Sequence, residues 1–206
     1  MSYSEQLPFA PACERNKAPI LDVLKLELPP RGSVLEIGSA TGQHVVFFAE
    51  SLPGLRWQPS DRNEYLPGLR LRLEAEGRGI IEAPIELDVL QAWPHAKFNA
   101  VYSANTAHIM SWKAVCAMFS GVAHCLDADG VFCLYGPFNE KNQFTAPSNA
   151  EFDQQLRSQD PEMGLRDIEA LESLARQHHL SFVKQYKLPA NNQVLIFRPV
   201  PDLNSK

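Results

Sequence analysis

Apolar positions along this chain follow two alternating rhythms. Short apolar runs, bounded by proline, glycine or an acid, predict strands over residues 34–37, 55–61, 85–89, 98–103 and 131–136. Between them, apolar residues fall three or four apart and predict helices. One runs from residue 14 with Ile20, Leu21, Leu24 and Leu28 on one face, and another follows Gly42 to residue 51. A third covers 64–76 with Leu66, Leu69 and Leu73 inward. The fourth covers 112–126 with Val115, Met118, Phe119 and Val122 inward, and the fifth covers 166–179 with Ile168, Leu171 and Leu174 inward. Pro8 and Pro11 hold the first 13 residues out of helix. Pro29-Pro30-Arg31-Gly32, Pro53-Gly54 and Gly77 end helices, and residues 127–130 read as a turn. Ser148-Asn149-Ala150-Glu151 has capping-box spacing, which starts a short helix inside the connection 137–165. Two last strands, 181–188 and 194–198, are joined through Pro189-Ala190-Asn191-Asn192. That link is too short for a crossover, so they run antiparallel.

Strand–helix alternation closed by an antiparallel hairpin predicts an α/β, Rossmann-like, seven-stranded, mostly parallel sheet with a C-terminal antiparallel hairpin and helices on both faces. The 206 residues are read as one domain, 1–206, with an N-terminal arm and helix over 1–30 and a lid or substrate segment over 137–165. Net charge is −5 and no Lys/Arg run stands out, which argues against nucleic acid as the main partner. No signal segment or membrane-length apolar run is present, so the expected location is cytoplasmic. The four cysteines are scattered without ligand spacing, and are read as reduced thiols with no metal site.

Chemistry concentrates where the first strand ends. Gly38 and Gly42 bracket a turn that leads into a helix, whose free N–H groups point into the same crevice. The spacing is E-x-G-x-A-x-G, from Glu36 through Ala40, and not the dinucleotide pattern. A carboxylate at Glu36 repels a pyrophosphate and attracts an ammonium or sulfonium group. This stretch resembles motif I of the class I methyltransferases that use S-adenosylmethionine, with alanine in place of the middle glycine. Asp61 follows Gly42 by 19 residues, a spacing at which an acid accepts the ribose hydroxyls; an N-cap or surface carboxylate is the alternative. His108 stands close after the fourth strand and belongs to the pKa class suited to proton removal, although a structural histidine is the commoner case. Tyr135 and Phe138, flanking a turn at Gly136-Pro137, belong either to the core or to the wall of a substrate cavity. Asn191 and Asn192 are read equally as turn formers and as site residues.

The resemblance assigns further positions. It implies that Gly38 and Ser39 meet the cofactor, and that Arg62 flanks its adenine. Asp88 accepts the adenine amino group, with Val89 and Leu90 packing the ring. Ser103, Ala104 and Asn105 face the methionine amino group. The segments Pro11 to Ile20, Leu35-Glu36-Ile37, Thr41 to His44, Tyr135 to Phe138 and Pro189 to Asn192 together are similar to the methyltransferase-like 26 family and its bacterial relatives. That similarity implies that Arg15 and Asn16 cross over the cofactor, with Arg15 pairing the methionine carboxylate. The expected activity is methyl transfer from S-adenosylmethionine to a small-molecule acceptor, uncharged or cationic by the net charge, with His108 as base. A non-catalytic S-adenosylmethionine-binding or scaffold protein is the second reading. An NAD-dependent oxidoreductase is the third, disfavoured by Glu36, the glycine spacing and the terminal hairpin.

Overall fold

In a computed structural model the chain is described over residues 7–200; residues 1–6 of the expected arm lie outside the described residues. Strands β1 (Gly32–Ile37), β2 (Leu55–Asp61), β5 (Phe98–Ala104) and β6 (Leu126–Gly136) pair in parallel. Two short strands, β3 (Ile80–Ile81) and β4 (Ile85–Glu86), both pair with β2. The hairpin β9 (Leu180–Leu188) and β10 (Asn192–Pro199) closes the other edge, with β10 antiparallel to β6. The order β3-β2-β1-β5-β6-β10-β9 is the expected mixed sheet.

Side chains alternate across the pleat and divide the core in two. Leu35, Ile37, Val101, Phe132, Leu134, Leu195 and Phe197 pack under helices α4 (Trp112–Cys125) and α6 (Ile168–Gln177). Val34, Ala100, Tyr102, Val131, Cys133, Val194 and Ile196 pack under α1 (Pro11–Glu27), α2 (Gln43–Ser51) and α3 (Leu66–Glu76). Glu36 shares this second face, between Val34 and the strand end. None of the described helices is long and apolar enough to cross a membrane.

Several local expectations differ. Helix α1 begins at Pro11, because a proline in the first turn gives up only an N–H that has no helical partner anyway. The strand expected over 85–89 shortens to Ile85–Glu86, and an unexpected strand, Ile80–Ile81, precedes it; Pro84, with no N–H for the ladder, separates the two, and the Gln58 side chain reaches the Ala83 carbonyl between them at 2.8 Å. Strand β6 runs through the expected turn at 127–130, where the Asn99 amide reaches Asp127 from the neighbouring strand at 2.8 Å. The capping box is not formed: α5 (Pro147–Gln159) has Ala146 and not Ser148 as its N-cap, so it starts two residues earlier, with a proline in its first turn, and is 13 residues long. Residues 166–167 join no helix; β8 (Arg166–Asp167) pairs in parallel with β7 (Phe138–Asn139), and Asp167 caps α6.

Candidate functional site

The turn after β1 is held open by its glycines. Gly38 and Gly42 take φ of +75° and +74°, and a Cβ on Gly38 would approach Thr106 Cγ2 at 2.6 Å. Ala40, at φ +45°, takes the same left-handed region at the exposed tip. Strand β2 anchors the turn. The N–H groups of Gly38 and Ser39 each donate to the Ser60 carbonyl at 3.0 Å, and that of Ala40 to Asp61 Oδ2 at 2.6 Å. Asp61 Oδ1 accepts the Arg62 N–H at 2.8 Å. Asp61 therefore shapes the turn as well as standing at the strand end, where burial raises its pKa.

Glu36 is 2% exposed, and its Oε2 has no hydrogen-bond partner among the described residues. Burial, with the Asp61 charge added, pushes its carboxyl up to about 7 against the lowering effect of Ser39. A buried carboxylate without a cation costs several kcal/mol in the order-of-magnitude sense. An incoming ammonium or sulfonium group would offset that cost.

A cleft of about 710 Å³ opens at the strand ends, and Glu36, Gly38, Gly42 and Asp61 are not in its lining. It is bounded by α1, the ends of β5 and β6, the start of α5 and the β9–β10 link. Arg15, Asn16, Asn105, His108 and Tyr135, scattered over the sequence, all line it. Asn105 sits at φ +58°, and its N–H donates to the Tyr135 carbonyl at 2.9 Å, tying the two strand ends together. Asn191, left open by the sequence, also lines the cleft and holds φ +58°, as does Ala190 beside it; Asn192 lines it too. Such backbone strain gathers at ligand clamps.

Two aromatic side chains at the cleft differ in what they can do. His108 is 6% exposed and lies edge-on to Phe152 with ring centroids 5.3 Å apart. Burial and then the Arg166 charge lower its pKa to about 4, so the imidazole is neutral at pH 7. Burial raises the Tyr135 pKa against a lowering effect of Asn16, so its proton stays on. Asn16 Oδ1 in turn meets His44 Nε2 at 2.7 Å, and His44 Nδ1 lies 3.4 Å from the Tyr102 hydroxyl.

Other expected site residues have structural work. Ser103 Oγ donates to the Ile37 carbonyl at 2.8 Å and lies 2.7 Å from Thr106 Oγ1; Ala104 packs against the core. Arg62 pairs with Glu64 at 2.9 Å and lies over the Tyr65 ring. Asp88 falls beyond β4, where its Oδ1 accepts the Leu90 N–H at 2.9 Å. Val89 packs in the core, and Leu90 is exposed. Residues the sequence reading passed over join the site. Gln43 accepts the Ala10 N–H at 2.6 Å and donates to Glu14 at 2.6 Å. Arg72, buried on α3, donates to the carbonyls of Thr41 and Pro8, each at 2.6 Å. Together they bind the start of α1 over the glycine turn. Their only signal was a polar residue on an otherwise apolar helix face.

The strand order, the reversed β10 and the glycine turn define the class I, Rossmann-like methyltransferase fold. The chain belongs to the family described as "Protein of unknown function (DUF938)", which matches residues 7–199. Among solved structures, it is similar to human N-acetylserotonin methyltransferase in complex with SAM, with TM-score 0.78, 13% identity, and 92% of this chain and 53% of that one covered. An O-methyltransferase family protein from Burkholderia thailandensis gives TM-score 0.78 and 16% identity, covering 93% and 58%. An O-methyltransferase family 2 protein from Planctomyces limnophilus, in complex with apigenin, gives 0.76 and 16%, covering 89% and 57%. The chain thus spans little more than half the length of these structures.

Proposed function

We propose that the protein is an S-adenosylmethionine-dependent methyltransferase acting on a small-molecule acceptor. The observation that carries this reading is Glu36, a buried carboxylate with an unpartnered oxygen beside a left-handed glycine turn. That donor set fits a cationic nucleoside and not a phosphate chain. Glu36 would face its positive groups and Asp61 its ribose hydroxyls. Bound there, the sulfonium supplies an activated methyl carbon, so the chain needs mainly to orient the acceptor and exclude water.

The cleft would hold that acceptor. Asn105 and the β9–β10 link would orient it, and α1 and α5 would shield it. S-adenosylmethionine held by Glu36 and Asp61 would supply the methyl group to an oxygen or nitrogen lone pair of an acceptor held in the cleft, the carbon–sulfur electron pair staying with sulfur. The acceptor's proton would go to a ring nitrogen of neutral His108. The similar solved structures support a small-molecule acceptor, since one of them holds apigenin. The resemblance to the methyltransferase-like 26 family belongs to this reading. So does a reducing, cytoplasmic setting, with which four free cysteines agree.

Calorimetry comparing S-adenosylhomocysteine with NAD tests the reading. The homocysteine nucleoside should bind at least about tenfold tighter, a difference of roughly 1.4 kcal/mol. Preferential NAD binding defeats it.

A further inference from the structure

The lining of the cleft has a charge pattern opposite to that of the whole protein. Net charge is −5, yet among the described residues the lining carries no Asp or Glu, and its one fully charged side chain is Arg15. Arg15 forms no ion pair among the described residues. A second cation stands behind the far wall. Arg166 is buried and spends its guanidinium on the carbonyls of Ala107 at 3.0 Å, Glu162 at 2.8 Å and Met110. Its charge reaches His108.

A hydrogen-bond relay sets the polarity of Tyr135. Neutral His44 has one donor nitrogen and one acceptor, and the network assigns them. The Tyr102 hydroxyl donates to Nδ1, and Nε2–H donates to Asn16 Oδ1. That bond turns the Asn16 amide nitrogen away from His44, and Asn16 and Tyr135 both line the cleft. The Tyr135 hydroxyl proton then has the cleft to donate into. Arg15 and Tyr135 line the same cleft.

We propose that the cleft selects an acceptor bearing a carboxylate, held between the Arg15 guanidinium and the Tyr135 hydroxyl. This rests on the methyltransferase reading above, and it moves Arg15 from the cofactor's methionine carboxylate to the acceptor. It also reverses the expectation of an uncharged or cationic acceptor, which came from net charge alone. The local field and the donor set govern binding in a cleft, and both here favour an anion that only accepts hydrogen bonds.

The test uses the full chain saturated with S-adenosylhomocysteine and three probes of equal size: benzoate, benzamide and benzylamine. Benzoate should bind at least about tenfold tighter than benzamide, with benzylamine weakest. Arg15→Gln and Tyr135→Phe should each erase the preference for benzoate while leaving S-adenosylhomocysteine affinity within about twofold. A melting curve for each variant checks folding, and Arg15, being exposed, carries the test if Tyr135→Phe does not fold. Equal binding of the three probes, or no binding of benzoate, overturns the proposal. So does a large loss of S-adenosylhomocysteine affinity in Arg15→Gln, which would return Arg15 to the cofactor. Failure of the wild-type protein to bind S-adenosylhomocysteine would instead sink the methyltransferase reading itself.

Discussion

The side-chain amide of Asn16 and the imidazole of His44 meet at 2.7 Å in a buried contact that spans 28 positions of sequence. This bond docks α1 onto α2 and fixes which end of the Asn16 amide faces Tyr135. Asn16→Ala should leave the His44 donor unpaired in the interior. We expect a loss of about 1–3 kcal/mol, read as a lower urea midpoint at unchanged slope. A midpoint matching wild type would show that the bond is replaced by water.

Three buried groups set opposing pH slopes. Glu36 is raised to about 7, so the folded state keeps its proton longer than the unfolded chain does. Its contribution is full below the ordinary carboxylate range and is lost as pH rises toward 7. His44 and His108 are both lowered to about 4, so their contributions are present above the ordinary histidine range and are lost as pH falls toward 4. Two histidines outweigh one carboxyl on the acid side. Stability of the ligand-free protein should therefore peak near neutrality. Glu36→Gln should steepen the acid slope and His108→Gln should shallow it, each by about one proton, or roughly 1.4 kcal/mol per pH unit. Denaturant titrations from pH 4 to 8 read both, and unchanged slopes in the variants would refute the assignment.

Ligand binding should move the Glu36 proton. A positive group placed against the carboxylate favours its ionised form. Binding of S-adenosylmethionine at about pH 6 should release close to one proton, visible as a dependence of the calorimetric enthalpy on buffer. Glu36→Gln should abolish that release; if it persists, the proton comes from elsewhere.

Asp61 holds the turn through the Ala40 and Arg62 N–H groups, and it stands where a ribose would lie. Asp61→Ala should weaken S-adenosylhomocysteine binding by roughly 10- to 100-fold, the value of one or two charge-assisted hydrogen bonds. Affinity equal to wild type removes Asp61 from the site.

Gly38 allows a direct steric test. An alanine there would carry its methyl into Thr106 Cγ2 and hold a left-handed backbone. Gly38→Ala should destabilise the fold by about 1–3 kcal/mol. The double change Gly38→Ala with Thr106→Ser should recover the steric part alone. No loss of melting temperature in the single variant would mean that the turn rearranges freely.

The parts of this fold that announce themselves in the sequence are those stabilised within a few turns of chain. β2 at Leu55–Asp61 is framed by Gly54 and a terminal acid, and α4 at Trp112–Cys125 carries its buried stripe at helical spacing. The β9–β10 link is too short for any other strand direction. Hydrophobic period and turn chemistry determine such elements, so the mixed sheet and the Glu36–Gly38–Gly42 turn were legible from residues alone. The two-residue strands β3, β7 and β8 were not, because a strand that short exists only through the partner it meets. Asp88 and Val89 looked like binding residues by position, and packing gave one to a turn and the other to the core. The cleft itself could only come from the tertiary structure. Arg15, Asn105, Tyr135 and Asn191 share no local pattern, and which of them face one another depends on how α1 and the hairpin dock on the strand ends. The sequence by itself determined the sheet and the acid beside its first turn; long-range packing decided which charges line the space where chemistry would occur, because that depends on distances no periodicity encodes.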